Sequence, residues 1–524
     1  MSHLQSENTK RIARNTLYLY VRMLFSMGIS LYTSRLVLEA LGVEDYGIYN
    51  VVGGTVAMFS ILSSSLSASV MRFLTFELGK GKAAELNKVF STSLAIHLFL
   101  AILVFLVVET VGLWFLNDKM NIPTERLTAA NWVFQCSCIL FVIKVINVPY
   151  NASIISHEKM IAFAYIGMLE IVLKLLTSIT LIFNLFPVDK LIIYGLLLMF
   201  IGLLSQLISM AYCNRHFAEC TYRCNLDYKV FKEILGFAGW NFIGCTSLLL
   251  KDEGINVLLN LFWGSIVNAA RAISYSVNGA ITSFITNFMT AINPQIVKSY
   301  SSGDYNYMML LVKRGTRFSF YILLMLALPV LFETDFILKL WLNVYPDHTA
   351  NFVRLVLILS MCDALSNTLI TSQLATGKIR NYQIVVGGIL FLNFPLSYLF
   401  LKMGYVPEVT MIIAIVISIC CLFFRLIFLR KMIKISISDY LREVVGNVFL
   451  VSVIALIFPL TFYYSMPDGA KRFILLTLAS FISSSITIYL IGCSKSEQAL
   501  VSEKISAVYK SFLRRIQHTI YKHS

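Results

Sequence analysis

Long apolar stretches alternate with short polar segments along the whole chain, and the apolar stretches have helical length. A membrane-crossing helix needs about 20 apolar residues, whereas a barrel strand needs only about 9–11. On that measure the pattern predicts helices over 15–38, 46–75, 90–116, 127–152, 160–186, 190–213, 234–261, 265–292, 314–338, 351–376, 382–402, 408–430, 444–465 and 472–493. The longest intervening loops are near 20 residues, too short for a separate soluble domain, so whatever the protein does is done among its helices.

The expected fold class is all-α: a polytopic membrane protein of about 14 transmembrane helices, in two six-helix bundles related by duplication plus two extra C-terminal helices. The duplication rests on a repeated order of features. In the first half Gly42 and Gly47 precede a small-residue helix from Ser63 to Ser69, then Arg72 and Gly79-Lys80-Gly81-Lys82. In the second half Gly264 opens a helix with Ser274, Ser276 and Ser283, then Lys298 and Ser302-Gly303-Asp304, at an offset near 222 residues. Such repeats commonly place a substrate site between the two halves. The boundaries expected are 1–214 and 215–433 for the bundles, 434–494 for the added pair, and 495–524 for a basic amphipathic cytoplasmic tail.

Composition agrees with this reading: 58% of residues are hydrophobic and 14% charged. That is far from the roughly 25% charged residues of soluble domains. A net charge of +15 could suggest nucleic acid, but the basic residues cluster in short loops between apolar runs. With the N-terminus taken as cytoplasmic, 27 Lys and Arg fall on the inner side and seven on the outer. That bias predicts both termini inside, an even number of spans and no nucleic-acid partner. No cleavable signal peptide is expected in the first span. The ten cysteines lie largely in apolar runs and read as small hydrophobes.

Nine basic residues remain inside the spans: Arg22, Arg35, Arg72, Lys144, Lys174, Lys251, Arg271, Arg354 and Arg425. Each costs about 2.5–3.5 kcal/mol at a helix centre, so most need a partner, a wet cavity or a route to the interface. Arg72 and Arg425 lie near inner ends, where snorkelling is the simpler reading. Acidic residues in the spans are fewer: Glu109, Glu170, Asp252, Glu253 and Asp363. Glu170 and Lys174 have the i,i+4 spacing of an ion pair. The cationic excess predicts an anion-binding interior formed by Arg22, Lys144, Lys174, Lys251, Arg271 and Arg354. Ion coupling, if present, falls to Glu170, Asp252 or Asp363.

Polar stripes add a candidate water-filled path. Arg271, Ser274, Asn278, Thr282, Thr286, Thr290 and Asn293 share one helical face, as do Arg22, Ser26 and Thr33, and Gly244, Ser247, Lys251 and Gly254. Ser26, Ser247, Asn278 and Thr282 are the expected cavity-lining residues, although such residues also serve close helix packing. Cys213, His216, Cys220 and Cys224 have a spacing that is no standard zinc pattern, and neither a metal nor a cofactor is expected. His97 stands alone in its span and reads as a buried structural histidine.

Fourteen helices in a six-plus-six-plus-two order with a cationic interior resemble the polysaccharide flippases of the multidrug/oligosaccharidyl-lipid/polysaccharide (MOP) exporter superfamily. The segment Leu41-Gly42-Val43-Glu44-Asp45-Tyr46-Gly47-Ile48-Tyr49-Asn50 is similar to that family's first outer loop. Asn293-Pro294-Gln295-Ile296 and the Ser302-Gly303-Asp304 turn are similar to its eighth-span ending. The resemblance implies alternating-access export of a polyprenyl-diphosphate-linked oligosaccharide, an O-antigen (lipopolysaccharide) or capsule repeat unit, across the bacterial inner membrane. The partners it implies are that lipid-linked substrate, the bilayer and the polysaccharide assembly machinery. It implies a transporter and not an enzyme. Two other functions fit the spans: a cation-coupled multidrug exporter, or an intramembrane enzyme acting on lipid-linked sugars. The second would be expected to carry a large outer loop or an intramembrane His pair, and neither is present.

Overall fold

The computed structural model describes residues 2–57, 60–81, 83–118, 122–183, 188–221, 227–342, 344–499 and 502, and the described residues contain helices and no strand. The first half comprises α1 (Ser2–Ala57), α2 (Ser60–Lys80), α3 (Ala83–Val107), α4 (Leu113–Asp118), α5 (Leu127–Ser156), α6 (Met160–Ile182) and α7 (Lys190–His216). The second comprises α8 (Tyr228–Leu249), α9 (Ile255–Ser301), α10 (Tyr305–Phe332), α11 (Thr334–Leu342), α12 (Thr349–Ala364), α13 (Asn367–Thr376), α14 (Arg380–Phe391), α15 (Asn393–Lys402) and α16 (Val409–Ile433). A short α17 (Ile437–Tyr440) leads through a π-turn into α18 (Asn447–Ser465), and α19 (Ala470–Thr487) closes the described fold. The expected amphipathic tail lies almost wholly outside the described residues.

The expected spans fall on helix across the described residues apart from short breaks at 333, 365–366 and 392 and the ends at 183, 408 and 493. Nine helices among the described residues are long and apolar enough to cross a membrane, or ten when the bent pair α12–α13 counts as one span. The rest of the expected spans belong to α1, α2 and the α8–α9 region. There one continuous helix contains a sharp glycine kink, or polar residues dilute the apolar run.

Those kinks carry the clearest mark of duplication. Gly42 breaks α1 at φ 78, ψ 171, and Gly264 breaks α9 at φ 79, ψ −174. This conformation is open to glycine and strained for other residues, because a Cβ would collide with the backbone. The turns after α2 and α9 repeat the pattern at Gly81 (φ 71) and Gly303 (φ 80). Both pairs are separated by 222 positions. Each half therefore starts with a rod, reverses at a glycine, and returns along a second rod to a glycine turn.

We call the two halves lobes. Apolar clusters lie within each, for example Val104, Val133, Phe134 and Leu191 in the first and Leu259, Phe352 and Met411 in the second, and others join them, such as Leu19 and Met160 with Ala291 and Leu66 with Ile234. The added pair docks on the second lobe through α10: Tyr321 donates to Asn447, and Arg472 grips Glu333 with two bonds of 2.6 and 3.0 Å. Helix boundaries extend beyond the hydropathy windows. α10 starts at Tyr305, nine residues before its expected start, because the Asp304 carboxylate caps it by accepting from the Tyr307 N–H at 3.0 Å.

The end of the bundle where α1 begins and α2, α5 and α9 end is the terminal face, and the opposite end is the distal face. Among the described residues, side-chain hydrogen bonds between the lobes lie in the terminal half. Ser65 donates to the Ala238 carbonyl at 2.8 Å and Ser69 to that of Ile234 at 3.0 Å. On the other side of the bundle Ser283 of α9 reaches Met23 of α1 at 3.2 Å, beside the ring pair Tyr20–Phe284. Toward the distal face the bonds stay within a lobe: Arg126 with Asp45 and Asp189, and His348 with Glu408. The described bonds between the lobes thus gather toward the terminal face.

Candidate functional site

Midway along the first lobe, three cations from three helices surround one carboxylate. Arg22 comes from α1, Lys144 from α5, and Glu170 and Lys174 from α6. Lys174 Nζ lies 2.7 Å from Glu170 Oε1, as the i,i+4 spacing predicts. Arg22 stacks over the Phe163 ring at 4.4 Å. It lies so close to Gly167 that a Cβ there would sit 2.5 Å from its Nε, so a glycine is what lets the guanidinium lie on α6.

Arg22 feels the charge of Glu170, and Lys144 feels both Lys174 and Glu170. Neither Arg22 nor Lys144 has a carboxylate within ion-pair distance among the described residues. Lys144 is exposed, while one helical turn along Asn147 holds a buried Oδ1 with no hydrogen-bond partner. With three positive charges and one negative one, the cluster keeps cationic capacity and an unmet acceptor at about the middle of the helices. Twelve residues separate Lys144 from the terminal end of α5, about 18 Å of helix.

The second lobe treats its cations differently. Lys251 is buried on the π-turn after α8, with Nζ 3.4 Å from Asp363 Oδ2. Asp363 also accepts from Ser418 at 2.5 Å. Arg271 is 3% exposed, donates to Asn256 and to Tyr275 Oη at 3.0 Å, and stacks over that ring at 4.3 Å. Tyr275 in turn donates to Asp252 at 3.2 Å. Arg425, expected to snorkel, is instead buried against Tyr382 Oη at 3.2 Å. Arg354 lies apart from both groups, paired with Asp335 at 2.7 Å near the distal end of α10.

The polar stripe of α9 divides in the same spirit. Asn278 accepts from Ser360 of α12 at 2.8 Å, and Asn293 accepts from Thr371 of α13 at 2.9 Å, so these amides knit the second lobe. Thr282, Thr286 and Thr290 return their hydroxyl protons to carbonyls one turn back, and Thr286 stays exposed. Ser26 and Ser247 do likewise, donating to the Arg22 and Ile243 carbonyls. The candidates Cys213, His216, Cys220 and Cys224 divide as well. Cys213 and Cys220 are buried and His216 is exposed, while Cys224 lies outside the described residues. His97 is buried, with Nδ1 2.8 Å from the Ser93 carbonyl and Nε2 unpartnered.

No described protein family has a sequence profile that matches the chain. A curated relative, the "Uncharacterized membrane protein EpsK" of Bacillus subtilis (strain 168), is 20% identical over 307 residues. That match spans 58% of this chain and 60% of the relative, less than two thirds of its length. Solved structures match more broadly. One, described as an outward-facing conformation of a multidrug resistance MATE family transporter of the MOP superfamily, superposes with a TM-score of 0.67 at 12% identity, covering 81% of this chain and 96% of that one. A MOP superfamily transporter from Pyrococcus furiosus, described as having a binding pocket of reverse polarity, gives the same TM-score, identity and coverage. A single-residue mutant of the Vibrio cholerae MATE transporter VcmN gives 0.66 at 14% identity, covering 82% and 98%. The chain has the fold of the MOP-superfamily transporters.

Proposed function

We propose that the protein translocates a polyprenyl-diphosphate-linked oligosaccharide between the leaflets of a bacterial inner membrane by alternating access. The observation that carries the proposal is the first-lobe cluster, in which Arg22, Lys144 and Lys174 outnumber Glu170 inside a membrane-spanning bundle. A low-dielectric site that retains unmatched cations favours an anionic ligand, and a diphosphate offers several charged oxygens to a guanidinium and two ammonium groups. Lys174 would exchange Glu170 for phosphate or hold both. The sugar would occupy the space between the lobes, and the prenyl tail would remain in the bilayer. The bias of basic residues supports a cytoplasmic terminal face, which is the face that the polar contacts between the lobes would close.

The test is translocation of a fluorescent short-chain prenyl-diphosphate oligosaccharide in proteoliposomes. Wild type should move it, and Arg22→Gln with Lys144→Gln should reduce the rate by about tenfold or more. Full activity in the folded double variant would overturn the assignment.

A second reading is supported by a different pair of groups. Asp252 and Asp363, 44% and 43% exposed at their side chains, could receive a coupling cation in a multidrug exporter. Efflux of a cationic dye that depends on Asp363, in a protein that moves no prenyl diphosphate, would favour that reading.

A further inference from the structure

The terminal face is closed by polar contacts that obey the internal repeat. Arg72 lies on α2 of the first lobe and reaches across to α13 of the second. Its Nε donates to the Leu374 carbonyl at 2.9 Å and its Nη2 to the Ala375 carbonyl at 3.4 Å. These are the last carbonyls of α13, where a helix leaves acceptors unpaired and carries partial negative charge. The helix ends at Gly377 (φ +74), where a Cβ would stand 2.2 Å from Arg72 Nη2. Arg72, expected from sequence to snorkel, is buried here and lies over Phe73 and Phe237 at 4.6 and 5.1 Å.

The reverse exchange uses the second half of α9, which is the repeat counterpart of α2. Gln295 and Lys298 reach the α5–α6 turn, the counterpart of the α13–α14 turn. Glu158 waits there with its side chain 1% exposed and its backbone in the left-handed region (φ 58). Its carboxylate accepts from Lys298 Nζ at 2.7 Å, Gln295 Nε2 at 2.5 Å and Arg11 Nε at 2.8 Å. Its carbonyl accepts from Asn15 at 3.3 Å. Between the two exchanges the lobes touch where the repeats cross. A Cβ at Gly79 would sit 1.6 Å from Ser301 Oγ and 2.8 Å from the Lys298 carbonyl, and residues 79 and 301 are again 222 positions apart.

We infer that these two exchanges form one reciprocal latch that holds the terminal face shut, and that Glu158 and Arg72 must both release for that face to open. A carboxylate with this little exposure cannot lose Lys298 and Gln295 while the lobes stay closed, because water cannot replace them there. When the lobes part, water reaches both Glu158 and the α13 end, so the desolvation penalty falls only in the open state. The latch is a switch with polar stakes, in contrast to an apolar seam that would release gradually. The inference rests on lobe geometry and not on the substrate proposed above, so either can fail without the other.

The experiment measures the separation of the lobes in the full-length protein in lipid nanodiscs. Spin labels carried by unnatural amino acids replace Arg215 at the end of α7 and Arg430 near the end of α16. Both positions are exposed at the terminal face, and the ten native cysteines stay in place. Wild type should show mainly the short distance. Glu158→Gln and Arg72→Gln should each raise the ratio of long to short distance by roughly tenfold, as expected when one partner of a desolvated charged contact is lost. Adding Lys298→Gln to Glu158→Gln should move it no further, since both remove the same bond. Should Glu158→Gln fail to fold, Arg72→Gln and Lys298→Gln carry the test. Unchanged distances in the folded variants, or fully additive effects of Glu158→Gln and Lys298→Gln, would overturn the latch.

Discussion

The two lobes are built from one repeated plan, yet they handle charge in opposite ways. In the second lobe Lys251 has Asp363, Arg271 has Asn256, Tyr275 and the more distant Asp252, and Arg425 has Tyr382. Each cation is buried and answered from within. Of the three cations in the first-lobe cluster, only Lys174 has a direct acidic partner among the described residues, and Arg22 and Lys144 share the field of that same Glu170. A buried charge answered by its own lobe specifies packing. A cation without a carboxylate of its own, as at Arg22 and Lys144, is the kind the proposed function would use for a ligand. On the proposed function, the difference between the lobes separates charges that hold the protein together from charges that would meet the ligand.

The largest effect expected from this contrast is on ligand affinity. Arg22→Gln and Lys144→Gln should each weaken binding of a prenyl diphosphate by about tenfold or more, with little change in thermal unfolding. Equal losses of stability and affinity would erase the distinction between the lobes. Next comes Asp363→Asn, which removes the partner of buried Lys251. The carboxylate is half exposed, so the loss should be about 1–2 kcal/mol in unfolding, not the full cost of a buried pair. Its effect on prenyl diphosphate affinity should be small.

A smaller effect concerns the distal clamps. Burial works to raise the Asp189 carboxyl, but Arg126 and the backbone N–H groups of Leu191 and Ile192 outweigh it and hold it below its ordinary value. Burial likewise works against Glu408, which Asn351 and His348 hold below its ordinary value. A carboxyl with a lowered folded-state pKa contributes stability that is present above its unfolded value, about 4, and is lost as pH falls through the lowered one. Asp189→Asn should therefore cost stability at pH 6 and cost progressively less below pH about 4, measured by thermal unfolding across that range. The smallest effect is at Arg354, whose exposed pair with Asp335 should be worth under about 1 kcal/mol and nothing in transport.

Much of the fold can be read along the chain because apolar length is a local property. The expected spans and the glycine offset both come from spacing, and Gly42 and Gly264 then show matching kinks. The candidate site is legible only as a pool of charges. Sequence places Arg22, Lys144, Lys251 and Arg271 at depth, but it cannot tell that Asn256 and Tyr275 enclose Arg271 while Lys144 is left open. That distinction depends on which faces of distant helices meet. Glu158 is invisible for a related reason: it lies in a short turn outside every span, and its partners Arg11, Gln295 and Lys298 are far away in sequence. The spacing of Glu170 and Lys174 is the exception, since an i,i+4 pair is set by one helix alone.

Binding to purified, detergent-solubilised protein tests the central claim most directly. Titration with a short-chain prenyl diphosphate should saturate, inorganic pyrophosphate should compete, and a lipophilic cation should not. The Arg22→Gln, Lys144→Gln variant should lose that saturable binding, while Arg354→Ala keeps it. Saturable binding of the lipophilic cation, with prenyl diphosphate binding absent or indifferent to Arg22 and Lys144, would contradict the account.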